Sequence, residues 1–190
     1  MQIDWVDIKR EDRTVNLDIR YGRQDNFLRR KFYPTEDAFL HRPVSEDLLR
    51  AHREFKELGF GILIFDAYRP FSVTKAFWDL ADLEQKNYLA NPAKGSNHNR
   101  GCAVDCSLYS LESGEHVTMP SDFDEMNEKA WVNFTGGTSE SRKVRDLFIE
   151  KMQSNGFKVA SNEWWHFDHP LRFEMPISDL SFKEIHDLIG

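Results

Sequence analysis

The sequence predicts an α+β fold in which a mostly antiparallel sheet is covered by helices. Three observations predict it. Continuous apolar runs at 60–70 and 102–111 are typical of strands buried on both faces. Apolar residues recur at helical spacing in 45–59 and 139–156. Late in the chain, FKVASNEWWHFDH at 157–169 has the pattern of a hairpin or strand pair.

The first elements follow from local patterns. Alternating residues in TVNLDIRYG, at 14–22, predict a strand, which a loop containing Pro and Arg follows. In SEDLLRAHREFKELG, at 45–59, Ser45 is the predicted N-cap of a helix and Gly59 its predicted end. We therefore expect a strand, a loop and a helix before the first buried strand.

The later elements alternate between strand and helix. After the strand at 60–70, helical spacing returns near Ser72 and continues through 72–90. The helix at 139–156 is predicted to end at Gly156. No repeat, low-complexity tract or Gly/Ser linker interrupts the chain, so we expect one domain over residues 1–190.

The net negative charge of the chain restricts the kinds of molecule that it is expected to bind. A chain of 190 residues with a net charge of −7 is poorly suited to nucleic acid or to anionic membranes, and a small or neutral substrate fits better. The N-terminus has no apolar signal-peptide core, and no apolar run is long enough to cross a bilayer. We therefore expect a cytoplasmic protein. Its two cysteines form no disulfide framework.

The first polar cluster lies in GSNHNRGCAVDCSLY, at 95–109. On a strand starting near Gly101, the period of two places Asp105 on one face and both Cys102 and Cys106 on the other. Buried free cysteine is commonly a small hydrophobic residue, so the thiols are not expected to join a site with Asp105. A carboxylate here needs a cation or several donors, and His98 is a candidate companion.

The second cluster is NEWWHFDH, at 162–169. By itself, His166 among aromatic residues is either a hydrogen-bonded core histidine or a metal ligand. Two histidines and one carboxylate would leave zinc an open position for water, and a further carboxylate would supply a general base. Glu163 and His166 face opposite sides of a regular strand, so their convergence requires a bend or bulge. Asp168 and His169 are alternative ligands.

The third cluster is FDAYRP, at 65–70, where Arg69 follows a buried strand. Two interpretations remain open. Arg69 is either the ion-pair partner of Asp66 or another acid, or an electrophile that stabilises a developing oxyanion. Spacing alone does not choose between them.

These motifs resemble those of a known family. SNHNRGCAVD matches the S-x-H-x-x-G-x-A-x-D signature of the zinc D-Ala-D-Ala metallopeptidases, and EWWH is similar to their E-x-x-H element. Within them the likeness is greatest to D-alanyl-D-alanine dipeptidases of the VanX type. It extends over YGRQDNF, GILIFDAYRP, LYSLESGEHVTMPSDFDEM and NGFKVASNEWWHFDH. The resemblance implies a small antiparallel sheet with flanking helices, related to D,D-carboxypeptidases and the Hedgehog signalling domain.

The resemblance also implies a cofactor and a reaction. His98, Asp105 and His166 would bind one zinc ion per chain, and Glu163 would be the general base. The substrate would be the dipeptide D-Ala-D-Ala, cleaved to two D-alanines. One alternative is a D,D-carboxypeptidase or endopeptidase that acts on longer wall peptides. Another is a zinc-bearing binding module without catalysis, although such a module would need neither Glu163 nor Arg69.

Further residues take roles from the same resemblance. Arg69 would polarise the scissile carbonyl, Asp124 would bind the free amino group, and Tyr21 would line the pocket. Two departures bear on specificity. Asn97 replaces the Ser usual before the ligand histidine, where it would touch substrate, and the segment 81–95 is shorter than in the resistance enzymes and would form the cleft rim.

Overall fold

The computed structural model describes residues 4–190. The strands are β1 (Trp5–Asp7), β2 (Asn16–Leu17), β3 (Phe39–His41), β4 (Phe60–Asp66), β5 (Ala103–Ser110), β6 (Lys158–Ala160) and β7 (Glu163–Asp168). The α-helices are α1 (Ile8–Glu11), α2 (Arg42–Glu57), α3 (Phe71–Leu80), α4 (Ser139–Ser154) and α5 (Phe182–Ile189). Short 3-10 helices cover Arg20–Gly22, Gln85–Asn87, His98–Arg100, Glu128–Ala130 and Pro170–Phe173.

The main sheet has the strand order β2-β4-β5-β7-β6, and β1 pairs with β3 in a separate two-stranded sheet. Within the main sheet β2 runs parallel to β4, whereas the β4–β5, β5–β7 and β6–β7 pairs are antiparallel. The strands β4 and β5 are buried along almost their whole length, as their apolar runs predict. The predicted α+β class, with a mostly antiparallel sheet and flanking helices, is confirmed.

The predicted N-cap of α2 is wrong. The helix starts at Arg42 after His41, with Pro43 in its first turn, and Ser45 is buried inside it. Proline at this position presets the helical φ and needs no hydrogen-bond donor, so it extends the helix toward the N-terminus. The other end is as predicted, because Gly59 has a φ of +85° and follows the last helical turn.

Two other segments are less regular than predicted. Of the strand predicted at 14–22, only β2 pairs with β4, and a 3-10 turn at Arg20–Gly22 follows. The helix predicted through 72–90 ends at Leu80. Beyond it, Asp82 and Gln85 each accept a hydrogen bond from the other's backbone N–H, at 2.8 and 3.0 Å. These local bonds favour a separate turn over a continued helix.

The core lies between the main sheet and the helices, and it includes Cys102 and Cys106, both fully buried. Packing of α2 against β4 and α4 against β7 closes one side of the sheet. None of the helices in residues 4–190 combines the length and apolar character needed to cross a membrane.

Candidate active site

Neighbouring strands bring two of the predicted metal ligands together. Asp105 in β5 is the register partner of His166 in β7, so their side chains share one face of the sheet. His98 reaches the same point from the 3-10 turn that precedes β5. One ligand atom from each of the three residues lies within 4.8 Å of the others. Among the described residues, this trio could hold a metal ion.

The tautomer of His98 is set by a backbone carbonyl. Nδ1 lies 2.6 Å from the carbonyl oxygen of Ala67, which can only accept, so Nδ1 carries the hydrogen. The lone pair of Nε2 then points toward Asp105, whose Oδ2 lies 3.3 Å away. His98 is almost fully buried, so its ring is held in this orientation.

In His166 the two ring nitrogens have the reverse roles to those in His98. Its Nε2 lies 3.1 Å from Oδ1 of Asp168, while its Nδ1 lies 2.9 Å from Oδ1 of Asp105 and 3.2 Å from Nε2 of His98. When Nε2 donates to Asp168, lone pairs from two imidazoles and one carboxylate converge on a single space. That donor set fits a divalent cation, which would satisfy all three at once.

The electrostatics of the trio favour the ligand form of the carboxylate. Burial by itself would raise the pKa of Asp105, but the neighbouring His98 and His166 lower it. Burial likewise works against charge on His166, yet its hydrogen bonds to Asp105 and Asp168 raise its pKa well above the usual range. Both pKa shifts therefore favour an ionised Asp105 with a positive charge next to it.

Two sets of nearby polar residues lie outside the trio. Neither cysteine belongs to it, in line with strand parity. Burial raises the pKa of Cys102 to about 12, and it raises the pKa of Cys106 well above the usual range. His169 points elsewhere, because its Nε2 lies 3.0 Å from Oδ2 of Asp47 in α2. The alternative in which His169 is a ligand is wrong for this fold.

Glu163 approaches the trio through an irregular strand. Along the β6–β7 pair, Val159 faces Phe167, but the next residue, Ala160, faces Glu163, so extra residues of β7 bulge at this point. The bulge reverses the parity of a regular strand. It leaves Oε2 of Glu163 4.0 Å from Nδ1 of His166.

Glu163 also has an unusual proton affinity. Burial raises its pKa to about 7, and the positive charge of His166 offsets only part of that rise. A carboxyl group in that range exchanges protons near neutral pH, which is the property required of a general acid and base.

Arg69 lies against both Asp66 and the cavity that contains the trio. Its Nε and Nη2 donate to Oδ2 of Asp66 at 2.9 and 2.6 Å, and Nη2 lies 3.9 Å from Asp105. The guanidinium also stacks over the rings of Tyr21 and Phe77, 5.2 and 4.8 Å from their centroids. The two interpretations of Arg69 are therefore compatible, because one buried arginine has both contacts.

Asp124 closes another side of the cavity. Its Oδ2 accepts a hydrogen bond of 3.0 Å from the hydroxyl of Tyr21, although the two residues are far apart in sequence. Burial and the charge of Asp105 raise the pKa of Asp124 well above its usual range. Its φ of +59° is uncommon outside glycine, and such backbone strain concentrates at functional sites.

The family model described as D-ala-D-ala dipeptidase, Peptidase M15, matches residues 1–180. The chain belongs to this family. It is thus an M15 metallopeptidase, with the His98, Asp105 and His166 trio as its candidate metal site.

Curated relatives agree with the M15 assignment, and one solved structure shares the fold. A D-alanyl-D-alanine dipeptidase of Enterococcus faecalis is 32% identical over 175 residues, covering 80% of this chain and 85% of the relative. Another from Escherichia coli is 29% identical over 163 residues, covering 86% and 83%. In fold, the LD-carboxypeptidase LdcB is similar, with a TM-score of 0.52, 15% identity and coverage of 98% of this chain and 78% of that one.

The M15 cavity has a volume of roughly 320 Å³. All of the predicted site residues line it, namely Tyr21, Arg69, Asn97, His98, Asp105, Asp124, Glu163 and His166. Residues 87–90 form part of its wall, so the segment after α3 does border the cleft. Asn97 differs from expectation in one respect, because its Nδ2 donates to Oδ1 of Asp168 at 2.8 Å.

Sequence reasoning missed one buried residue of this M15 site. The hydroxyl of Tyr33 donates to Oδ1 of Asp66 at 2.7 Å and thereby occupies the carboxylate oxygen that Arg69 does not use. No motif marks Tyr33, because it lies in a loop more than thirty residues before Arg69. Only the packing of that loop against β4 brings the two together.

Proposed function

We propose that this M15 metallopeptidase uses one zinc ion per chain to hydrolyse D-Ala-D-Ala to two D-alanines. The observation that carries the proposal is the position of Glu163, whose carboxylate lies 4.0 Å from Nδ1 of His166 beside a three-residue metal site. A structural metal site needs no such carboxylate. Relatives named D-alanyl-D-alanine dipeptidase, about 30% identical over most of the chain, support the substrate.

Zinc is the metal that suits this donor set. Two imidazole nitrogens and one carboxylate oxygen leave a fourth position open, as in catalytic rather than structural zinc sites. When bound, zinc would supply the Lewis acidity that activates water and polarises a carbonyl. His98, Asp105 and His166 would hold it.

Glu163 would move the proton. Its carboxylate accepts one proton from the water that attacks the scissile carbonyl carbon, and the new C–O bond carries the remaining hydroxyl. Once the C–N bond has broken, this product is a carboxylic acid, which ionises by releasing the second proton of that water. As the C–N bond breaks, Glu163 returns the first proton to the leaving amine. A pKa raised to about 7 by burial suits both halves of this transfer.

Arg69 would stabilise charge on the carbonyl oxygen. Its Nε and one hydrogen of Nη2 are engaged by Asp66, so both hydrogens of Nη1 and the second hydrogen of Nη2 are left for substrate. Burial alone would lower the pKa of Arg69, but Asp66 raises it well above the usual range, so the group stays cationic. A well-placed donor of this kind contributes about 3 kcal/mol to transition-state stabilisation.

Asp124 would select for a free amino terminus. A half-buried carboxylate that lines the cavity and accepts one hydrogen bond from Tyr21 can also accept one from an ammonium group. A longer peptide would bring no ammonium to that position and would leave the charge buried without its partner. Asn97, which lines the same cavity, has an amide oxygen with which to contact the substrate.

The test is a kinetic comparison on zinc-loaded protein. The substrates are D-Ala-D-Ala, D-Ala-D-lactate, L-Ala-D-Ala and an N-blocked pentapeptide ending in D-Ala-D-Ala. We expect kcat/KM to be highest for D-Ala-D-Ala. It should be at least about 100-fold lower for the blocked peptide, because that peptide cannot form the ion pair with Asp124. Comparable hydrolysis of the pentapeptide would overturn the proposal in favour of a D,D-carboxypeptidase.

A further inference from the structure

Asp168 lies next to the metal site without belonging to the trio. It is the last residue of β7, two residues after His166, so both side chains lie on the same face of the strand. Its Oδ1 lies 3.1 Å from Nε2 of His166, the ring nitrogen that faces away from Asp105. Asp168 therefore contacts the ring of His166 on the side opposite to Asp105.

Two further residues hold the Asp168 carboxylate. Asn97 donates from Nδ2 to Oδ1 at 2.8 Å, and Arg172 approaches Oδ2 with Nη1 at 2.8 Å. Both carboxylate oxygens are thus occupied by groups outside the trio. Because Asn97 immediately precedes His98, its bond to Asp168 also ties the turn that carries one histidine to the strand that carries the other.

We propose that Asp168, held by Asn97 and Arg172, is a positioning residue for the metal site. By accepting the hydrogen of Nε2, it keeps His166 in the tautomer whose Nδ1 lone pair faces Asp105 and His98. A carboxylate in this place also raises the basicity of the ligand nitrogen and restricts rotation of the ring. The inference rests on the proposed function, since it assigns Asp168 a role toward the same zinc ion.

The same contacts give Asn97 an indirect role. Its amide nitrogen is committed to Asp168, so part of its effect on the enzyme passes through that carboxylate. A serine here is shorter and lacks the amide nitrogen that makes the bond. Asn97 therefore contributes to how firmly Asp168 is held.

The principal test is Asp168→Asn, with the zinc dissociation constant measured by competition with a chromophoric chelator. Loss of an outer-shell carboxylate weakens metal binding by about 10- to 100-fold. The matched control is Asp47→Asn, because Asp47 makes a similar contact of 3.0 Å with His169, away from the trio. That variant should bind zinc as the unmodified protein does. Equal affinity in Asp168→Asn and the unmodified protein would overturn the inference.

A second readout does not depend on metal or turnover. Nitrogen-15 chemical shifts of His166 in the zinc-free protein, recorded at a pH high enough for the ring to be neutral, should report the Nε2–H form, and in Asn97→Ala the share of that form should fall. An unchanged tautomer in Asn97→Ala would remove Asn97 from the positioning role, and this variant also serves if Asp168→Asn does not fold. Failure of the unmodified protein to bind zinc would instead overturn the proposed function.

Discussion

Arg69 and Asp66 form a buried ion pair in which two guanidinium nitrogens, Nε and Nη2, contact one carboxylate oxygen at 2.9 and 2.6 Å. The other oxygen of Asp66 accepts from Tyr33. Both carboxylate oxygens of Asp66 are thus engaged, one by Arg69 and the other by Tyr33. The ion pair restricts the motion of the Arg69 guanidinium, which also lines the cavity.

The first prediction concerns this pair. Asp66→Asn leaves the Arg69 charge buried without its partner, and we expect the free energy of unfolding to fall by about 3–5 kcal/mol. Urea denaturation followed by circular dichroism measures the loss. The control is the exposed pair of Arg42 and Asp4, whose atoms lie 2.6 Å apart. Asp4→Asn should cost less than about 1 kcal/mol, and similar losses in both variants would contradict the prediction.

The second prediction concerns the proposed base. Glu163→Gln preserves shape but cannot accept the proton, so kcat for D-Ala-D-Ala should fall by about 10²- to 10⁴-fold. Zinc content should equal that of the unmodified protein, because Glu163 lies outside the trio. Coupled detection of released D-alanine and metal analysis of the same sample measure both quantities. Turnover within tenfold of the unmodified enzyme would remove Glu163 from its role, and Glu112→Gln, at an exposed turn, is the matched control.

The third prediction separates binding from stability at Asp124. Asp124→Asn removes a half-buried carboxyl group whose pKa is raised by desolvation, while asparagine tolerates the φ of +59°. We expect KM for D-Ala-D-Ala to rise about 10- to 100-fold, the loss of one charged hydrogen bond. We also expect the protein to gain about 1 kcal/mol in stability, because a neutral amide costs less to desolvate in this cavity than a carboxylate does.

The comparison variant is Tyr21→Phe, which removes the hydroxyl donor of 3.0 Å and keeps the Asp124 charge. Its KM should rise by less than that of Asp124→Asn. A KM for Asp124→Asn equal to that of the unmodified enzyme would show that the substrate amine binds elsewhere.

The fourth prediction concerns pH and stability, far from the cavity. His52 is buried, its Nδ1 accepts from the N–H of Ile62 at 3.0 Å, and burial lowers its pKa from 6.5 to about 4. Between these values the unfolded chain binds a proton that the folded chain does not, so stability falls as the pH drops from 6.5 toward 4. At pH 5 the contribution of His52 to this loss is about 2 kcal/mol.

Urea denaturation at pH 7.5 and pH 5 measures that loss in the unmodified protein and in His52→Gln. The variant lacks the titrating ring, so its loss of stability between the two pH values should be smaller by the His52 contribution. Equal losses in both proteins would show that His52 does not control this part of the pH dependence.

Much of the fold follows from periodicity. The apolar runs that become β4 and β5, the helical spacing of α4 and the hairpin of β6 and β7 are all visible in the sequence, because burial dictates residue type along each element. The boundaries are less predictable. Pro43 extends α2 beyond Ser45, and the reciprocal bonds of Asp82 and Gln85 end the regular structure after α3, through local contacts that compete with helix propensity.

The candidate site divides in a similar way. Strand parity in the sequence separates Asp105 from the two cysteines, and the family resemblance implies the trio. Neither shows how Glu163 reaches His166, since that depends on a bulge in β7. Nor does either reveal the contact between Asn97 and Asp168 or that between Tyr33 and Asp66, which join residues remote in sequence.

The sequence by itself therefore determined the α+β class, the family and the residue types able to bind a metal, because periodicity and motif spacing are local properties of the chain. Only the tertiary structure decided that Arg69 is both ion-paired and part of the cavity. The same holds for the contact of His169 with Asp47 and for that of Asp168 with Nε2 of His166. In each case the structure determines which hydrogen-bonding or ionic partner a buried polar group has. They depend on which segments the sheet register and loop packing bring together, since each buried group must be satisfied by whatever lies beside it.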